Sequence, residues 1–415
     1  VASAIGTNWA GNHTYVASAL AKPSSVGELQ GLVARSERIR ALGSRHSFSD
    51  LSDTRGVLVD LTGLPPGIEI DEEASSVSVS AGTRYGDLAA ALDERGQALA
   101  NMASLPHISV GGAVATGTHG SGDTNQSLSS AVRALEIVGP DGYLRRLDRA
   151  DPDFDGSVVA LGALGIVTRL VLDIEPGYGL RQDVSSGLTW ATFDSRFDDL
   201  TAAGYSVSMF TRFGDESQNQ LWVKARVDQP AMASIFGTTP APTATHMLAG
   251  GAVEALTEQG GVPGQWLHRL PHFRIDFTPS RGEELQSEYF LPREHAVRAV
   301  EAIRRMSTSF RHLLQVAEIR TIAADSLWLS GAYGRETVAV HFTWVQDEAA
   351  VRVALREIEA ALAPWGARPH WGKLFGFDHA ALLAVFPRLT EFTRLRDRVD
   401  PDQKFGNAFL DRCLQ

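Results

Sequence analysis

The sequence predicts an α+β protein of two domains, and three observations carry that prediction. Up to about residue 174, amphipathic stretches alternate with short β-branched runs, the texture of an α/β unit. Beyond Glu175-Pro176-Gly177 the runs of alternating apolar residues lengthen and are interleaved with amphipathic helices, the texture of a mainly antiparallel sheet covered by helices. A chain of 415 residues, 44% of them hydrophobic, is also long enough to bury more than one core.

Taken in order, residues 26–36 and 85–98 read as helices, and 38–42, 57–61 and 77–81 as strands. After the change in texture, 205–212, 221–227, 273–277 and 285–291 read as strands. Residues 293–306 place Ala296, Val297, Val300 and Ile303 on one helical face. Residues 313–323 and 337–345 are two further strands, and 349–363 a helix. The stretch 229–249, rich in Pro, Thr and Ala, reads as a surface excursion, and the chain has no internal repeat.

The net charge of −11 and the lack of any Lys/Arg run leave no attraction for nucleic acid or an anionic membrane. No apolar stretch reaches the roughly 18 residues that a membrane span needs, and residues 1–15 lack the pattern of a signal peptide, so a soluble, cytoplasmic protein is expected. Cys413 is the single cysteine, which excludes an internal disulfide and a cysteine metal cluster. Neither a metal nor an obligate protein partner is expected.

Two loops stand out: Gly43-Ser44-Arg45-His46-Ser47-Phe48-Ser49, and Val110-Gly111-Gly112-Ala113-Val114-Ala115-Thr116-Gly117-Thr118-His119-Gly120. Their small residues let backbone N–H groups approach an anion, so together they read as a cradle for a phosphate-bearing cofactor. Gly112 to Gly117 has the Walker spacing but is followed by Thr118-His119, and no G-x-G-x-x-G occurs, so a P-loop and an ordinary Rossmann site both fail. A third small-residue segment is Leu161-Gly162-Ala163-Leu164-Gly165-Ile166-Val167-Thr168.

These segments resemble the flavoprotein oxidase family typified by vanillyl-alcohol oxidase, in which FAD lies between a cofactor domain and a cap. The resemblance implies a two-domain fold: an FAD-binding domain over 1–176, to which 378–415 return through Lys404-Phe405-Gly406-Asn407, and a substrate-binding cap over 177–377. It further implies a single covalent bond from His46 to the flavin, a role suited to an unprotonated imidazole. Arg45 stands where relatives often carry glycine, and a left-handed backbone there would be strained. Cofactor contacts are implied at Gly43, Ser44, Arg45, Ser47, Phe48, Ser104, Ser109, Gly111, Gly112, Ala115, Thr116, Gly117, Thr118, His119, Gly165, Ile166, Val167, Lys373 and Asn407.

In the strand 313–323, alternation puts Glu318 and Arg320 on one face with Leu314, Val316 and Ile322. A purely structural ion pair is the alternative use of those charges. In 337–345, His341 and Thr343 share a face while Val340, Phe342 and Trp344 take the other, so neighbouring strands would build a polar wall. Lys373 sits in an aromatic, broken segment, and an ordinary exposed lysine is the alternative there. The strings Asn101-Met102-Ala103-Ser104-Leu105-Pro106-His107, Glu318-Ile319-Arg320, His341-Phe342-Thr343-Trp344 and His370-Trp371-Gly372-Lys373 resemble the alditol oxidase branch of the family. That resemblance implies oxidation of a terminal CH₂OH of a polyol such as xylitol or sorbitol, with O₂ as acceptor. Ser104, Glu318, Arg320, Thr343 and Lys373 would bind substrate, with catalytic roles for Arg320, Lys373, His341 and Glu318. Aldonolactone oxidation or dehydrogenation is the alternative within the same family.

Overall fold

The computed structural model describes residues 5–229, 236–277 and 282–415. Near the N-terminus, β1 (Ala19–Ala21), β2 (Ile39–Leu42) and β3 (Val57–Asp60) form a parallel sheet in the order β1-β3-β2. The helix α1 (Val26–Arg35) connects β1 to β2. Its start is fixed by the Ser25 side chain, which accepts from Glu28 N at 3.2 Å, while the Glu28 carboxylate accepts from Ser24 N at 2.8 Å. Leu29 and Val33, one turn apart, supply its buried stripe.

The second sheet comprises β4 (Glu69–Asp71), β5 (Ser76–Ser80), β6 (Val132–Val138), β7 (Leu144–Asp148) and β8 (Ile166–Asp173), in the order β4-β5-β8-β6-β7. Every pair in it is antiparallel, so the α/β texture holds only for β1 to β3. The helix expected at 85–98 is α2 (Tyr85–Asp93). It stops because Gly96 turns the chain at φ +67°, after which Gln97–Ala98 pairs with Glu175–Pro176. A short helix, α3 (Val110–Ala115), follows. One core joins Leu29, Val79, Leu88, Val114, Leu135 and Leu170 to Leu382, Phe392 and Leu410 from the C-terminal helices.

The third and largest sheet has nine strands. Its main path runs β9-β11-β10-β13-β14-β12, from β9 (Gly179–Ser186), β10 (Ser206–Thr211), β11 (Gln220–Arg226), β12 (Leu285–Pro292), β13 (Leu314–Ile322) and β14 (Thr337–Trp344), all antiparallel. Two-residue strands at Thr239–Pro240 and Gly264–Gln265 extend it beside β9, and Arg368–Pro369 beside β12. Helices α4 (Trp190–Thr201), α5 (Ala296–Phe310) and α6 (Glu348–Leu362) cover one face. There Val300, Ile303, Leu355 and Ile358 meet Ile319, Val340, Phe342 and Trp344 in a second core. Each such side chain contributes about 1.5–3 kcal/mol on full burial.

Three expectations change. Residues 273–277 form no strand: Phe273 makes only an isolated bridge to Leu256, and the segment is held instead by His107 Nε2, 2.8 Å from Ile275 O. A bulge in β13 between Leu314 and Val316 shifts the alternation, so Leu314 packs with Trp344 under the helices, away from Val316, Glu318 and Arg320. The stretch 229–249 is not only a surface excursion, since Met247 and Leu248 help to line the cavity described below. Residues 230–235 of it lie outside the described residues. Among the described residues, no helix is long and apolar enough to cross a membrane.

Candidate active site

A cavity of about 530 Å³ lies between the uncovered face of the large sheet and the loops around the two smaller ones. On the loop side, the turns 43–48 and 109–119 approach so closely that a Cβ at Gly43 would sit 3.0 Å from Ser109 Oγ and 3.7 Å from Gly112 Cα. Arg45 does adopt a left-handed backbone, φ +64°. Its guanidinium is anchored by Ile5 O at 2.7 Å and lies over the Tyr15 ring, contacts that offset a conformational cost of about 1–2 kcal/mol. The Leu161 loop is fastened from beneath by buried Arg40, which donates to Leu161 O at 2.7 Å and Leu51 O at 2.8 Å. Burial pushes the Arg40 guanidinium down to about 10.

His46 stacks on Trp9 with ring centroids 5.0 Å apart, and its Nδ1 lies 3.0 Å from Ser44 O. A carbonyl only accepts, so Nδ1 carries the hydrogen. Burial pushes the imidazole down to about 4, which keeps the ring neutral.

Across the cavity, alternation on three adjacent strands builds the polar wall. Glu318 and Arg320 of β13 stand beside His341 and Thr343 of β14, with Gln286 and Glu288 of β12 next in line; Glu318 pairs with His341, and Glu288 with His341 from the other side. The centre of the wall is Glu288, whose side chain is fully buried. It accepts from Arg320 Nη2 at 2.8 Å and Lys373 Nζ at 2.6 Å, and His119 Nε2 lies 3.2 Å away. Burial alone would raise the Glu288 carboxyl, but Lys373, His119 and Arg320 outweigh it and hold it well below the usual carboxylate range. Glu318 is held low in the same way by Arg320, His272 and His341 against its burial. Burial, reinforced by Lys373, pushes His341 down to about 3, and its buried Nε2 has no hydrogen-bond partner among the described residues. Arg320 Nη1 also reaches Ser104 Oγ at 3.3 Å, joining the wall to the loop side.

The expected substrate residues Ser104, Glu318, Arg320, Thr343 and Lys373 therefore line one cavity with His341. So do Gly43, Ser44, Arg45, His46, Ser47, Phe48, Ser109, Gly111, Gly112, Ala115, Thr116, Thr118, His119, Gly165 and Val167. Gly117, Ile166 and Asn407 do not line it. Gly117 turns the chain after α3 at φ +69°, and Ile166 points into the core beside the lining residue Val167. Asn407 caps the last helix and donates to Leu51 O and Asp53 O, both at 2.9 Å. Sequence reasoning missed Glu288, His370, His272 and Lys224. Glu288 had a legible signal, as the one charge within the strand 285–291; the other three owe their places to tertiary contacts. His119, Glu288 and His370 bring one potential metal-ligand atom each within 4.8 Å of one another, but Arg320 and Lys373 already bond that carboxylate, so a metal cation there would compete with two fixed charges.

The cavity volume suits a large ligand, and buried polar atoms at both ends, Ser109 Oγ and His341 Nε2, are left for a ligand to satisfy. Residues 17–148 match the FAD binding domain family, and 278–413 the D-arabinono-1,4-lactone oxidase family. Among solved structures, cholesterol oxidase from B. sterolicum superposes with a TM-score of 0.81 over 99% of this chain and 96% of its own, at 16% identity, a likeness of fold. Fold and cofactor match define an FAD-dependent oxidoreductase with the two-domain architecture of the vanillyl-alcohol oxidase type. The chain is 29% identical to L-gulono-1,4-lactone dehydrogenase of Mycobacterium tuberculosis over 99% of both chains. It is 47% identical to alditol oxidase of a Streptomyces species over 98% of both, and it belongs to the alditol oxidase family.

Proposed function

We propose that the protein oxidises the terminal CH₂OH of alditols such as xylitol or sorbitol to the aldose, with O₂ reduced to H₂O₂. The observation that carries this reading is the wall of Glu318, Arg320, Thr343 and Lys373, with Ser104 opposite, facing one cavity with the glycine loops. A chain of hydroxyls needs acceptors and donors together, and such a wall leaves its own groups unpaired against an apolar molecule. Bound FAD supplies the two-electron acceptor that oxygen reoxidises. Residues of the three small-residue loops would hold it, with His46 as a single covalent attachment.

Glu318 accepts a substrate hydroxyl hydrogen, and Arg320 and Lys373 donate to the reacting oxygen. Those two cations favour the alkoxide form of the alcohol, so that neutral His341, a weak base in this setting, suffices to take the hydroxyl proton at Nε2. The same reading divides the chain into an FAD-binding unit, 1–176 with 378–415, and a cap, 177–377. The core that Leu170 shares with Leu410 supports the return of 378–415 to the first unit. It also assigns the protein to the cytoplasm.

The match of residues 278–413 to a lactone oxidase family favours one rival, aldonolactone oxidation. Peroxide release in air-saturated buffer decides between them: release with xylitol and not with an aldonolactone is expected, and the reverse result would assign the site to lactones.

A further inference from the structure

Behind the polar wall, three buried side chains from separate segments form a line. Lys224 of β11 is 1% exposed, and its Nζ bonds Leu270 O, Pro271 O at 3.0 Å and His272 Nδ1 at 3.0 Å. Burial pushes Lys224 down to about 7, so below that pH those three acceptors match the three hydrogens of its ammonium group. Because Nδ1 accepts, the imidazole hydrogen sits on Nε2, which lies 2.9 Å from Glu318 Oε1. Oε1 is thus engaged from behind. Among the described residues, Oε2 has only longer contacts, 3.6 Å to Arg320 Nε and 3.9 Å to His341 Nδ1.

Packing does not call for these polar groups. The rings of Phe210 and Trp222 flank His272 at 5.6 and 5.3 Å, and apolar side chains would fill such a place at lower desolvation cost. We propose that Lys224 and His272 are positioning residues for the oxidation, a donor relay that fixes the Glu318 carboxylate so that Oε2 accepts the substrate hydroxyl. The inference rests on the role given to Glu318 above. Glu318 is faced by His272, Arg320 and His341, and Lys224 by His272, Glu318 and Arg320; Lys373 and Glu288 act on His341 from the far side. Removing the His272 donor takes away one of the contacts that keep Glu318 ionised, so it moves the acid limb of kcat/KM to higher pH.

The test compares two amides at one position in the flavin-loaded enzyme. His272→Gln keeps an N–H near the Nε2 position, whereas the shorter His272→Asn does not reach Glu318. The Gln variant should keep kcat/KM for xylitol within about threefold, while the Asn variant and Lys224→Met lose about tenfold or more, the Asn variant with its acid limb raised. Equal kcat/KM and equal pH profiles for the two amides would overturn the relay. Should the variants fail to fold, ¹⁵N-histidine spectra of the wild-type protein near pH 6 read the His272 tautomer directly: Nε2–H is expected, and Nδ1–H overturns the relay. A wild-type enzyme that releases no peroxide from any alditol would instead remove the alditol reading, and the tautomer would still decide the geometry.

Discussion

His46 combines three properties that a covalent anchor requires: a place on the cavity wall, a neutral ring and a fixed orientation against Trp9. His46→Ala should leave flavin in the native protein but none on it after denaturation, read as loss of yellow fluorescence from the protein band on a denaturing gel; fluorescence still travelling with that band would assign the attachment elsewhere. Arg320 presents a different balance, because its guanidinium serves Glu288, Glu318 and Ser104 together. Deleting it would strand buried carboxylates at a cost of about 3–5 kcal/mol, so Arg320→Ala confounds folding with function. Arg320→Lys keeps the charge and loses the fork. It should unfold at nearly the wild-type denaturant midpoint yet lose about a hundredfold in kcat/KM, and a variant within twofold of wild type would show that one positive charge is enough.

At the scale of the element, β13 and β14 separate two jobs by alternation. Ile319, Val340 and Phe342 hold the helices, while Glu318, Arg320, His341 and Thr343 face the cavity. Ile319→Ala should therefore cost about 2–5 kcal/mol in urea unfolding and leave KM for the alditol within twofold, whereas a matching change in KM would mean that the two faces are coupled. The same alternation is why this part of the site was legible in the sequence: a period of two names a strand's face without any knowledge of its neighbours. It fails where the period breaks. Leu314 was placed with Glu318 because the bulge before Val316 leaves no mark in the order of residues. The antiparallel pairing of β4 to β8 was hidden too, since short strands with helices between them read alike in either direction. Glu288 lies 32 residues from its partner Arg320, His272 46 from Glu318 and Lys224 48 from His272, and only the assembled fold brings them together.

For the whole molecule, the cavity wall stores protonation energy. His272 is held at about 4 and His341 at about 3, against an ordinary value of 6.5, in both cases chiefly by burial. Their folded values lie below the unfolded one. As pH drops under 6.5 the unfolded chain takes up protons first, so this stability is complete above 6.5 and is lost as pH falls through the folded values. For His272 alone the difference is about 3 kcal/mol, and because both rings border Glu318 the two contributions do not simply add. Glu288 and Glu318, held low by their cations, extend the loss to still lower pH with the same sign. The denaturant midpoint should thus fall between pH 6.5 and about 4, and should fall less in His272→Gln, which has no ring to protonate. A wild-type midpoint that stays level across that range would mean that the folded protein already carries these histidines charged, and with that the neutral His341 required to accept the substrate's proton would be lost.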